Sequence, residues 1–339
     1  KMKNLIYLVL AVMLFSCNSQ QNKPNPCTEL KGEYLGQQIP EDSALLFAPG
    51  IVSTGMAERD IVIYPDGTEI YFCRNTSNFK FATIFYVKLI DGSWTKPEVA
   101  EFATDPKYIF IEPHISPDGK KFFFASNKQA EGDKPGSMEI WVADRQENGW
   151  GEPYNIGAPV NTESDQYFPS VTEDGTLYFT SEDSATNEEF IYRSKLIDGK
   201  YQTPELLPKN INMGRARFNT LISPKEDFII VPAFGMPDSY GATDYYIVFR
   251  DENDNWSNPM NMSKAVNSVN GQEWSASLSP DGKYMFFMSA FVPENRQLPE
   301  RMTSETFYNI SNNPQNGNSD IYWVKSDFIK DLRTKAVFN

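Results

Sequence analysis

The chain has 339 residues, with 31 Lys and Arg against 45 Asp and Glu, a formal charge of −14 and a single His. That length allows one large domain or two ordinary ones with a substantial core, and the apolar share excludes a wholly disordered chain. The acid excess excludes non-specific nucleic-acid binding, which needs clustered Lys and Arg, and argues against adhesion to anionic lipid. Aromatics at 14% and 23 prolines favour strands and turns over helical bundles.

In chain order the first element is an address. KMKNLIYLVLAVMLFS (1–16) places basic Lys1 and Lys3 before an apolar run from Leu5 to Phe15. The run is too short to remain as a membrane span and reads as a secretory signal. Leu14-Phe15-Ser16-Cys17 resembles a bacterial lipoprotein cleavage site. The resemblance implies a lipid on Cys17, a mature chain of charge −16 once Lys1 and Lys3 are gone, and a place at the cell envelope. The outer membrane is expected, with periplasmic and outward orientation both open. An ordinary signal with a chance Cys is the alternative. Residues 17–43, with Pro24, Pro26 and Pro40, read as a polar tether. Cys27 and Cys73 are expected as free thiols, a disulfide being the alternative in an oxidising compartment. No Cys/His zinc spacing occurs.

Residues 44–339 are organised by a repeat. The turn Pro65-Asp66-Gly67 returns as Pro117-Asp118-Gly119, Glu173-Asp174-Gly175, Pro224-Lys225-Glu226 and Pro280-Asp281-Gly282, at spacings of 52, 56, 51 and 56. Asp-Gly between apolar runs is a hairpin signal, and each turn precedes a strand such as KFFFAS or YMFFMS. A further aromatic strand follows near Tyr86, Trp141, Tyr192, Tyr246 and Trp323. The first four continue into an aromatic three residues before Pro: Trp94/Pro97, Trp150/Pro153, Tyr201/Pro204 and Trp256/Pro259. Four strands per fifty-odd residues is the pattern of propeller blades. The fifth unit lacks the last strand, and ALLFAPGIVST (44–54) is expected to supply it and close the ring. The expected fold is therefore an all-β, five-bladed propeller of four-stranded blades. Its repeats lie near 56–104, 105–161, 162–212, 213–267 and 268–335, and its last blade is closed from the N-terminus.

GWGEPYNIGAPVNTESDQYFPSVTEDGTLYFTSE (149–182), with SPDGK at 116–120 and 279–283, resembles the TolB-type, WD-repeat-like propeller repeats of envelope lipoproteins of Bacteroidetes type. The resemblance covers roughly 44–325. It implies the propeller fold and points to protein–protein work at the envelope. The fourth repeat departs from it where Lys225-Glu226 replaces Asp-Gly, which puts the tightness of that turn in question.

Propeller ligands are expected at the face where the inner strands begin, opposite the Asp-Gly turns. Aligning the inner strands gives a first column of Glu58, Phe110, Gln166, Arg217 and Glu273, then Arg59, Ile111, Tyr167, Phe218 and Trp274, then Asp60, Glu112, Phe168, Asn219 and Ser275. Ile63, Ile115, Val171, Ile222 and Leu278 form an apolar column near the turns, expected as packing between blades. The candidate ligand-binding set is Glu58, Arg59, Asp60, Glu112, Gln166, Tyr167, Arg217, Asn219, Glu273 and Trp274. As a polar pocket with aromatic walls it suits a sugar; the competing reading pairs these charges across blades to hold the ring. Asp60, Glu112 and Glu273 are the candidate catalytic carboxylates of a glycosidase, the enzyme alternative to a binding role. His114 is too solitary for a multi-His metal site, and no GxSxG elbow or phosphate loop occurs. The long segment 289–319, with Arg296, Arg301, Phe307 and Tyr308, is expected at the same face as a lid or docking arm. The expectation is a monomeric, cofactor-free binding or scaffold protein whose partner is an envelope protein or a glycan.

Overall fold

The computed structural model describes residues 30–338, apart from 42, 184, 270, 294–296 and 298, so the expected signal, Cys17, Cys27 and Arg296 lie outside the described residues. Five antiparallel sheets follow one another along the chain as blades. Their inner strands are Ala57–Ile63, Phe110–Ile115, Gln166–Val171, the pair Ala216–Arg217 and Leu221–Ile222, and Glu273–Leu278. A second strand follows each Asp-Gly turn, then a third, then a short outer strand. In the fifth blade the outer strand comes from the N-terminus, as expected. Leu45–Leu46 pairs antiparallel with Asp320–Lys325, Leu45 opposite Trp323 and Leu46 opposite Tyr322. The fold is a five-bladed β-propeller.

The near-continuous apolar runs have a simple cause. Alternate residues of a strand point to opposite faces, and each blade is buried on both. Phe122 and Phe124 pack toward the first blade, while Phe123 between them packs toward the third. Met285 and Phe287 face the fourth blade and Phe286 the first. The result is five apolar clusters, one per seam between neighbouring blades. Cys73 is a free, fully buried thiol in the first seam.

Asparagines reinforce the outer layer. Asn161, Asn212 and Asn267 each accept from the N–H and donate to the C=O of one third-strand residue, respectively Ile140, Ile191 and Tyr245. Each amide thus replaces a backbone partner where the outer strand has ended. Ser53 does the same for Ile321 in the closing blade. The departure at Lys225-Glu226 does not loosen the fourth turn. Glu226 takes the left-handed conformation at φ 58° that Gly119 and Gly282 take elsewhere, and its N–H bonds Ser223 O at 2.9 Å as theirs bond Ser116 and Ser279 at 2.8 Å.

One expectation is corrected. Part of the segment read as tether is packed onto the ring. Trp94 donates two bonds to it, its N–H to Leu30 O at 2.9 Å and its Nε1 to Gly32 O at 2.8 Å. Leu35 is 1% exposed. The Tyr34 ring lies 5.3 Å from those of Tyr284 and Trp323. Two apolar side chains between glycines suffice to dock a stretch that composition marks as polar. Leu35→Ala is expected to cost about 2–3 kcal/mol in urea unfolding, and a chain beginning at residue 44 is expected to lose more than that. Equal midpoints for chains beginning at 30 and at 44 would return the segment to the role of passive tether.

Candidate functional site

Every inner strand carries one extra residue relative to its neighbour, a β-bulge between Arg59 and Val62, Ile111 and His114, Tyr167 and Ser170, Arg217 and Leu221, and Glu273 and Ala276. At four of the five bulges a non-glycine residue is left-handed: Asp60, Glu112, Phe168 and Asn219, with φ between 48° and 60°. These are members of the third column, so the alignment of the inner strands holds in space.

Around the bulges the charges meet one another. Arg59 donates to Asp60 Oδ2 at 2.6 Å and to Glu112 Oε1 at 3.1 Å. Glu112 Oε2 accepts the Phe168 N–H at 2.7 Å, bridging the second blade to the third. All three charged side chains are buried. Burial works against the Arg59 guanidinium, but Asp60 and Glu112 hold it above its ordinary range. Burial pushes Glu112 up while Arg59 pulls it down. Asp60 and Glu112 therefore share one cation inside a plug, and neither faces open solvent.

The first column clasps the loops that enter the inner strands. Glu58 accepts the Thr54 N–H and hydroxyl and Arg74 Nε, at 3.0, 2.5 and 3.2 Å. Gln166 bonds Thr162 and Ser181. Arg217 donates to Met213 O and Glu189 O. Glu273 Oε1 accepts Ser268 and Ser289 hydroxyls at 2.8 and 2.9 Å, while its buried Oε2 has no partner. Burial raises Glu273 to about 7. Tyr167 donates to Glu189 at 2.5 Å, its N-terminal neighbour being the clasping Gln166, and Trp274 is half-buried. The Asn219 N–H donates to Thr180. Sequence reasoning missed Asp320, which lies at the start of a third strand. It accepts the Gln315 N–H at 2.6 Å, leaves Oδ1 unpartnered, and is raised to about 7 by burial and by Glu58.

A cavity of about 1010 Å³ lies at the Asp-Gly turns, and none of the ten candidate residues lines it. Its lining includes Ile63, Ile115, Val171, Ile222 and Leu278, with Val62 and His114; that column packs between blades as expected, each residue in or against a different seam cluster. The seam clusters take in these turn ends of the inner strands, and Ile63, Ile115, Val171 and Ile222 are 1–6% exposed. His114 Nε2 accepts the Val171 N–H at 3.0 Å, so its proton sits on Nδ1, and burial lowers it to about 4. Tyr34, Glu33 and the helix Phe328–Arg333 extend the rim. The first described residues and the last helix thus sit at the same end.

The described part of 289–319 that bonds Gly55 lies at the entry end, as expected. It contains a helix, Ser304–Ser311, capped by Thr303. Asn316 and Asn318 donate to Gly55 O at 3.0 and 2.9 Å. Gly55 has to be glycine, since a Cβ there would lie 2.3 Å from Ser311 O. Phe307 and Tyr308 are exposed. Among the described residues no group of His, Cys, Asp and Glu is placed to hold a metal, and no helix is long and apolar enough to cross a membrane.

No known sequence family matches the chain, and no curated protein matches it in sequence. Solved structures do match. TolB from Acinetobacter baumannii is 16% identical over 80% of this chain, with a TM-score of 0.45, and the chain spans only 55% of it. The catalytic domain of a Coprinopsis cinerea GH62 α-L-arabinofuranosidase is 10% identical over 88% of this chain and 98% of its own, with a TM-score of 0.44. A glycoside hydrolase is 11% identical over 86% and 93%, at 0.47. At these levels of similarity none of them assigns a role to this chain.

Two outcomes follow from the entry-end layer. Arg59→Met should cost about 3–5 kcal/mol in urea unfolding, because it strands Asp60 and Glu112 without a cation. Adding Asp60→Asn and Glu112→Gln to it should recover most of that loss. For Asp320, the raised value means that folding favours the protonated form. Its contribution is complete below the ordinary carboxylate range and is lost as pH rises through about 7. Asp320→Asn is therefore expected to stabilise the protein by about 1–3 kcal/mol at roughly pH 8 and to change little near pH 4. Equal effects at both pH values would contradict the burial argument.

Proposed function

We propose that this chain is a binding module of the cell envelope, not a hydrolase, and that it engages its ligand at the turn end of its channel. The observation that carries the reading is the division of the channel. The carboxylates fit for catalysis are buried and bonded at one end, and the cavity opens at the other. A glycosidase needs two carboxyl groups flanking a bound sugar with room for water. Asp60 and Glu112 instead grip the same guanidinium. Lipid attachment at Cys17 fits this reading, since the described chain starts at the end where the cavity opens.

Purified protein is expected to leave aryl glycosides intact. Cys17→Ser is expected to move the protein from the membrane to the soluble fraction of a Gram-negative host. Hydrolysis that Asp60→Asn or Glu112→Gln abolishes would overturn the binding assignment, and unchanged fractionation of Cys17→Ser would remove the anchor.

A further inference from the structure

We propose that the gap between the first and second blades, at the entry end of the ring, binds a neutral, extended peptide segment through its backbone, with an apolar side chain seated in the gap. This site is separate from the turn-end cavity and does not rest on the reading of that end.

Four of the five third strands are closed at their entry end by the next blade. Met138 O accepts the Gln166 N–H and Ser319 O the Glu58 N–H, both at 2.8 Å. Glu189 O accepts Arg217 Nη1 at 2.7 Å, and Thr243 bridges Gln272. Two residues further on, the N–H groups of Ile140, Ile191, Tyr245 and Ile321 meet Asn161, Asn212, Asn267 and Ser53. The first blade has neither closure. Ala82 and Ile84 hold the two positions on its third strand, Ala82–Ile90. Among the described residues no group bonds the N–H of either one or the C=O of Ala82. The sequence accounts for both gaps. Phe110 stands in the column where Glu58, Gln166, Arg217 and Glu273 clasp their entry loops. Asp105 stands eight residues after Pro97, as Asn161, Asn212 and Asn267 stand after Pro153, Pro204 and Pro259. A carboxylate cannot donate to a strand carbonyl, and this one accepts the Lys107 N–H at 3.0 Å instead.

A cavity of about 370 Å³ lies at this place, with Ala82, Thr83, Ala103 and Asp105 on its lining. Its apolar walls are open. Met56 and Phe81 are 53% and 54% exposed, and Phe85 and Val99 are partly exposed. Asn75, opposite Ala82 in the ladder, is 9% exposed, and its Oδ1 has no partner. The charges here are already matched, Arg74 with Glu58 at 3.2 Å and Asp105 with Lys107 at 3.7 Å, which suits a neutral occupant. The gap thus holds the Ala82 and Ile84 N–H groups and the Ala82 and Asn75 oxygens, buried and in need of partners. Backbone N–H groups and carboxamides fill the same positions in other seams. An extended chain supplies N–H and C=O groups at strand spacing, with a side chain for the wall. A sugar supplies at most an acetamido group and no such side chain.

The Ala82 and Ile84 amide resonances of the 15N-labelled protein read the pairing directly, since an amide proton moves downfield when it gains an acceptor. N-acetyl-Ala-Phe-Ala-amide is expected to move both saturably. N-acetyl-Ala-Ala-Ala-amide should bind roughly tenfold more weakly, and methyl N-acetylglucosaminide should leave both in place. Asp105→Asn restores the carboxamide of the other repeats. It is expected to move the Ile84 resonance in the free protein, raise the unfolding midpoint by a few degrees and weaken peptide binding at least tenfold. Thr104→Trp, at an exposed position of the rim, should fill the gap and abolish the peptide shifts with the midpoint unchanged. Resonances unmoved by the peptide up to its solubility limit, or moved equally in Thr104→Trp, would overturn the site. The glucosaminide moving them as strongly as the peptide would overturn the peptide assignment. An Ile84 resonance unmoved by Asp105→Asn would overturn the vacant-partner argument. None of these results bears on the turn-end reading, because the two cavities share no lining residue.

Discussion

Where Asp60, Glu112, Phe168 and Asn219 turn left-handed, each inner strand gains a residue and its edge rotates toward the next blade. Inner strands of a propeller stand edge-on to the axis, and a strand edge is a row of backbone groups in need of partners. The bulges direct some of these groups across the seams. The Asp60 N–H meets Ser275 Oγ, the Phe168 N–H meets Glu112, and the Asn219 N–H meets Thr180. One level further, Val171 and Ile222 donate to His114 and Ser170. Tyr245 ties the fourth blade to the fifth through Ser275 O and Met288 O. Left-handed non-glycine residues cost of order 1–3 kcal/mol each. They persist because glycine at this level would remove the side chains that form the plug.

The two ends of the channel follow from this arrangement. On the entry side of the bulges Glu58, Arg59, Gln166, Arg217 and Glu273 bond one another's neighbours and the entry loops. On the turn side the strands carry branched aliphatics that pack between neighbouring blades. Both described termini gather at that open end, Tyr34 at its rim and the helix Phe328–Arg333 beside it. The longest irregular segment covers the opposite end through Gly55. In the layer on the entry side Asp60 and Glu112 share Arg59, while Glu273 and Asp320 each keep one buried oxygen without a partner.

The blade count and the closure were legible because both depend on local signals, Asp-Gly turns at near-constant spacing and a missing last strand matched by 44–54. The third column was legible for the same reason, and its shared left-handed backbone confirms the register. Which end of the channel opens was not legible. Arg59 can reach Glu112 only because two blades meet, and 53 residues of chain separate them. The aliphatic column was legible, because branched aliphatics two residues before each turn pack between blades in every seam. The docking of Leu35 and Tyr34 was hidden by polar neighbours. Asn161, Asn212 and Asn267 did leave a signal, an Asn closing APVN, KNIN and KAVN before each following repeat. It could have been read as the side-chain substitute for an ended strand.

The fourth turn shows how a departure from the repeat is retained. Glycine at position 226 would relieve the left-handed backbone, by about 1 kcal/mol on general grounds. Its loss would also remove a carboxylate that accepts the Tyr178 hydroxyl and Arg250 Nη1, both at 2.5 Å. Arg250 continues to Asp254 at 2.6 Å, where Arg193 also binds. The Arg250 guanidinium lies over Trp256. The first seam builds the same set from other positions. There Glu69 accepts Tyr71 and Arg145, Arg145 lies over Trp150, and the Trp150 indole donates to Tyr71. A buried Tyr hydroxyl between blades needs an acceptor, and the acceptor's charge needs an arginine. In the first seam the residue after the turn region provides that carboxylate. In the third-to-fourth seam the turn residue Glu226 provides it, with its backbone left-handed at φ 58°.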